Sequence, residues 1–166
     1  MIILIEKLYD AFEGCWEKYS SYITLVGGVI IGILYFLGFV TNIRTVTANI
    51  VTFGSIVIGV NGVFLTLIIT LQESPAFVRL KEVFPSFQTR LYISLRNQIS
   101  YGLIVVMISI IINLLPPSPS IYLSAFGVSI WFIFFFQMSI GSFVSVKLVT
   151  DIIVKNFEIP TRSSRQ

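Results

Sequence analysis

Four apolar runs, separated by short charged or proline-bearing breaks, organise this chain. Residues 22–41 extend for twenty positions without a charge, and 46–71 for twenty-six. At 1.5 Å per residue the second run makes about 39 Å of helix. That exceeds the ~30 Å hydrocarbon core of a bilayer, so the helix is expected to tilt or protrude. The third run, 99–115, is shorter and has a polar lead-in, and the fourth, 121–146, continues as a charged helix. The segment PPSPS at 116–120 ends the third run and starts the fourth, because proline breaks a helix interior and is tolerated at its start.

Composition agrees with that pattern. Of 166 residues, 55% are hydrophobic and 11% charged, against roughly 25% charged in a soluble domain. Mean hydropathy is +0.92. The fold class is therefore an all-α integral membrane protein: a four-transmembrane-helix bundle with an N-terminal amphipathic interfacial helix and a short helical cytoplasmic loop. The chain divides into the interfacial helix at 1–20, the membrane domain at 21–150 with its loop at 72–98, and a tail at 151–166. A secretory signal is not expected, since no basic region precedes residues 1–5, and Glu6, Lys7 and Asp10 interrupt the apolar start. Cys15 is the single cysteine and has no internal disulfide partner.

The basic residues set the expected orientation. Lys7, Lys18, Arg79, Lys81, Arg90, Arg96, Lys147, Lys155, Arg162 and Arg165 fall on one side of a four-span topology, with Arg44 alone on the other. The positive-inside rule places both termini in the cytoplasm. All eight acidic residues share that side, which leaves two tight, nearly uncharged external turns.

Within 1–20, Ile5, Leu8, Phe12, Trp16 and Tyr19 recur at helical spacing opposite Glu6, Asp10, Glu13 and Glu17. This segment is either a simple interfacial anchor or a helix docked on the basic 79–96 region of its own or a neighbouring subunit. The 72–98 loop holds two helix starts, Ser74-Pro75 and Ser86 after Pro85, and the second helix runs into the third span. Arg79, Lys81, Arg90 and Arg96 there suit anionic lipid headgroups or a soluble partner.

Small residues mark close-approach faces. Gly28 and Gly32 form a GxxxG, and Ser55-xxx-Gly59, Ala125-xxx-Ser129 and Gly141-xxx-Ser145 are variants of it, serving contacts inside one bundle or between subunits. Two amides, Asn61 and Gln137, lie about 22 Å and 24 Å down their helices from the external ends. Similar depth suggests a shared hydrogen bond between them, as packing glue, or a polar ring lining a passage.

No Asp, Glu, His, Lys or Cys lies at membrane depth to act as base, nucleophile or metal ligand, and no P-loop, zinc spacing or dinucleotide fingerprint occurs. The reading is non-enzymatic, with no cofactor. What remains is a small scaffold, sensor or pore that works through self-assembly.

The length, the four-span topology and the elbow TLQESPAFVRL at 70–80 resemble KwaA, the membrane-subunit family of the Kiwa anti-phage systems. That resemblance implies a homotetramer that senses phage attack at the inner membrane and engages a cytosolic DNA-binding effector, without touching nucleic acid itself. The chain is also similar in layout to the four-span accessory proteins of type VI-B CRISPR systems. A small channel or membrane-perturbing protein is the third class. Expected partners are further copies of the chain, a cytosolic effector and anionic lipids.

Overall fold

The computed structural model describes the backbone of residues 2–71, 87–116 and 120–158, with side chains over 14–16, 18–70, 89–116 and 120–150. Four helices account for these residues: α1 (Ile2–Phe36), α2 (Ile43–Leu71), α3 (Phe87–Leu114) and α4 (Ile121–Glu158). Each contains a stretch long and apolar enough to cross a membrane: Lys18–Phe36, Ile43–Thr70, Thr89–Leu114 and Ile121–Thr150. The chain is a multi-pass, all-helical membrane bundle. Its two ends differ: α1 begins and α4 finishes at one, the terminal end, while short connections close the other, the turn end.

The span limits differ from the sequence expectation in three places. The first span stops at Phe36, not 41, because Gly38 adopts φ 79°. Gly38 N–H donates to the Tyr35 carbonyl and Phe39 N–H to the Leu34 carbonyl, which is the Schellman arrangement that ends a helix on a left-handed glycine. At its other end the same helix runs unbroken through residue 20, so the expected surface helix and the first span are one rod of 35 residues. No glycine or proline lies between Cys15 and Leu25 to break it, and the Thr24 hydroxyl bonds back to the Ser20 carbonyl at 2.9 Å. The third difference is α3, which begins at Phe87 and extends the third span by a dozen residues. Within its polar lead-in Gln98 turns inward and Ser94 is partly buried, while Arg90, Arg96 and Asn97 are exposed.

Burial shows why. In α3, Leu91, Leu95, Gln98, Gly102, Val105 and Ser109 are buried, at alternating steps of four and three. Val128, Trp131, Met138, Ser142, Ser145 and Val149 on α4 follow the same rule, as do Thr47, Ile50, Gly54, Asn61 and Ile68 on α2 with partly buried steps between. That period brings one seam of each helix against its neighbour. Helix α1 instead steps by strict fours through Trp16, Thr24, Gly28 and Gly32.

The seams assemble in the order α1–α4–α3–α2, with α2 also touching α4. Helix α1 rests on α4 and barely meets α2 or α3. The GxxxG of α1 is used inside the protomer, since Gly28 lies against Ser129 and Ile133, and Gly32 against Ser129 and Ala125. Two small-residue motifs therefore interlock. Val106 of α3 packs into the space left by Gly54, and Ile58 of α2 into that left by Gly102, with the Met138 sulfur of α4 beside both, which lets α2, α3 and α4 close together. Aromatic pairs add to the seam at Phe53–Phe135 (6.0 Å) and Tyr101–Phe134 (6.1 Å), geometries typical of favourable ring contacts.

The turn end is closed by polar contacts. Arg44 donates to the Leu115 carbonyl at 2.7 Å, placing a cation on the C-terminus of α3. Thr47 donates to Asn113 Oδ1 at 2.9 Å. The lone basic residue of that end thus serves the fold.

Candidate functional site

Because α1 and α3 both lean on α4 and scarcely touch each other, a cleft opens between them with α4 as its floor. Its volume is about 570 Å³, within the roughly 300–1,000 Å³ of small-molecule sites. Trp16 and Ser20 form the α1 wall. Arg90, Ser94, Asn97, Gln98 and Tyr101 line the α3 wall, and Gln137, Gly141, Val144, Ser145 and Leu148 form the floor. On α3 the cleft runs about 16 Å from Arg90, near the terminal end, to Tyr101, with Gln98 about 12 Å along it. On α4 it runs about 16 Å from Leu148 to Gln137. An apolar span carries this much polar lining only where it faces the bundle interior or a cavity.

The amides are the notable groups. Gln98 is 5% exposed and slots into the notch left by the missing side chain of Gly141. Its Oε1, and the Oε1 of Gln137, are buried without a hydrogen-bond partner. An unsatisfied buried acceptor costs of the order of 1–3 kcal/mol, so both amides are incomplete as they stand. Below them Ser94 and Ser145 share a hydrogen bond at 2.8 Å and tie α3 to α4 at the cleft floor.

The expected Asn61–Gln137 pair does not form. Asn61, fully buried, donates from Nδ2 to Ser142 Oγ at 2.7 Å, while Gln137 lines the cleft. The two α4 positions lie five residues apart, which turns them about 140° from each other around the helix. Depth alone cannot bring Gln137 to α2. A second buried pair, Trp131 Nε1 donating to Ser109 Oγ at 2.9 Å, joins α4 to α3, with Ser109 in turn donating to the Val105 carbonyl.

The other expected positions divide. Gly28, Gly32 and Gly141 pack against neighbouring helices within the protomer. Ser55 and Gly59 do not: both are exposed, Gly59 has no neighbour within reach, and the Ser55 hydroxyl bonds to its own Val51 carbonyl. Gly62 likewise brings no second backbone close to Asn61. Arg90 lines the cleft and Arg96 is exposed on α3, whereas Arg79, Lys81, the short helix expected near 74–84 and the tail from 159 lie outside the described residues. So do the side chains of Ile5, Leu8, Phe12 and the acidic face of the N-terminal segment.

Sequence reasoning missed Ser94, Gln98, Ser109 and Ser142, and took Ser145 only as a small residue for close approach. Their signal was present: each continues a three-four apolar seam, where a polar residue needs a partner across the interface. Among the described residues no group of three or more His, Cys, Asp or Glu is placed to hold a metal ion. No protein-family model, curated protein or solved structure matches the chain.

Proposed function

We propose that this protein is an oligomeric, non-enzymatic membrane scaffold or sensor of bacterial anti-phage defence, lying in the inner membrane with both termini in the cytoplasm. It engages a cytosolic effector through 72–98 and the termini, where the chain concentrates its charge. The observation that carries the self-assembly half of this reading is the outer face of α2. Thr45, Ala48, Thr52, Ser55, Gly59 and Thr66 are all exposed there, at helical steps. A lipid-facing surface has no need of small residues, whereas a helix of another subunit does. The hydroxyls of Thr52, Ser55 and Thr66 bond to their own helix, which leaves the face smooth for close approach.

The defence half rests on the resemblance in layout to Kiwa membrane subunits, and the homotetramer comes with it. Expressing the chain with its genomic neighbours in a phage-sensitive host tests both halves. Removing the chain should restore plaquing, and Ser55→Cys or Gly59→Cys should crosslink protomers in native membranes. Unchanged plaquing sinks the defence role, and a monomeric mass without crosslinks sinks the assembly. A small channel is the second reading, favoured by the cleft that carries Gln98 and Gln137 into the span. Conductance in planar bilayers that falls on Gln137→Leu would select it.

A further inference from the structure

The cleft between α1 and α3 has three properties that together describe an occupant. It is amphipathic: Trp16, Leu91, Val144 and Leu148 stand beside Ser94, Asn97 and the two glutamines. It opens between two spans that hardly touch, so an occupant can enter from the bilayer. Its two amides each leave a buried oxygen without a donor, and Gln98 is 5% exposed. The terminal torsion of a glutamine is soft, so either end of each amide can turn to face the cleft.

We propose that this cleft seats one phospholipid from the leaflet at the terminal end, selected for a headgroup that donates hydrogen bonds, ethanolamine or glycerol in kind. The headgroup folds inward along α3: the phosphate lies by Ser94 and Asn97, within a turn of Gln98, the amine or hydroxyl donates to Gln98 and Gln137, and the acyl chains leave sideways between α1 and α3. A soluble ligand would gain nothing from an opening onto lipid. Ester-only contacts would leave both amide oxygens unsatisfied, because esters accept and do not donate. The inference stands apart from the defence reading and requires only the protomer.

Lipid retention on the purified full chain tests it. Phosphatidylethanolamine and phosphatidylcholine are both zwitterionic, so comparing them holds charge constant and varies the N–H donors. In native mass spectrometry after lipid exchange in mild detergent, ethanolamine lipid should remain at one per protomer. The choline lipid should be displaced roughly tenfold more readily, the product of two hydrogen bonds of about threefold each. Gln98→Leu combined with Gln137→Leu should remove that preference, so that the ethanolamine lipid is displaced as readily as the choline lipid. Should the double variant fail to fold, the wild-type preference decides alone. Equal retention of the two lipids by the wild type would overturn the proposal and leave a water-filled cleft. So would competition by chainless glycerophosphoethanolamine, which would place the ligand in the aqueous phase.

Discussion

Two adjacent glycines on α1 should respond to the same substitution with opposite sign. Gly28 faces α4, where an added Cβ would sit 2.9 Å from the Ser129 carbonyl oxygen and 3.0 Å from Ile133 Cδ1. The first is backbone, so α1 must move away from α4 along the whole GxxxG contact. Overpacking of this kind costs about 1–3 kcal/mol, against which Gly→Ala returns up to about 1 kcal/mol of helix propensity. Gly28→Ala is therefore expected to destabilise by about 0–3 kcal/mol. A Cβ on Gly27 meets nothing within 4 Å. Gly27→Ala should keep only the propensity gain and stabilise by up to about 1 kcal/mol. The difference between the two variants isolates the α1–α4 contact, because whatever glycine costs a helix in a bilayer is common to both. Unfolding followed by circular dichroism during a titration from mild detergent into SDS measures it, with mass in detergent monitored in parallel. Equal shifts for the two variants would refute the intimate α1–α4 seam. A Gly28→Ala protein that lost oligomeric mass at unchanged protomer stability would move that seam to a subunit interface.

Asn61→Leu should cost about 0.5–1.5 kcal/mol, and Asn61→Leu with Ser142→Ala less than the sum of the two, because neither partner is then stranded. Combined with Gln137→Leu it should be additive in the same unfolding titration, since those amides do not meet; strong coupling would contradict the 140° separation. Ser109→Ala strands the Trp131 N–H in the bundle interior and should destabilise by about 1–3 kcal/mol, more than its small volume explains. A change within experimental error there would mean that the indole does not depend on Ser109. Alkaline phosphatase should be active when inserted within 116–120 and inactive when fused after residue 166; the reverse pattern would invert the topology.

The apolar runs by themselves determined that there are four spans and roughly where each lies. A bilayer requires every spanning segment to satisfy its own backbone, so length and hydropathy suffice. The finer limits were also written locally. Gly38 ends α1 by its left-handed conformation, and the three-four steps of α3 and α4 run through Gln98, Ser109, Ser142 and Ser145 as plainly as through leucine. The polar members of those seams looked like a surface lead-in because polarity near a span end has two readings, and only packing chooses between them.

Which groups meet was decided by the tertiary structure. Depth along a helix is linear in residue number, which is why Asn61 and Gln137 look like partners in a list of positions. Direction around the bundle axis depends on which helices are neighbours, and the order α1–α4–α3–α2 follows from interlocking glycines, not from any one run. That order turns Asn61 to Ser142 and leaves Gln137 facing a cleft. The cleft exists because α1 and α3 share a neighbour while scarcely touching each other, a relation between helices far apart in the chain that no local pattern encodes.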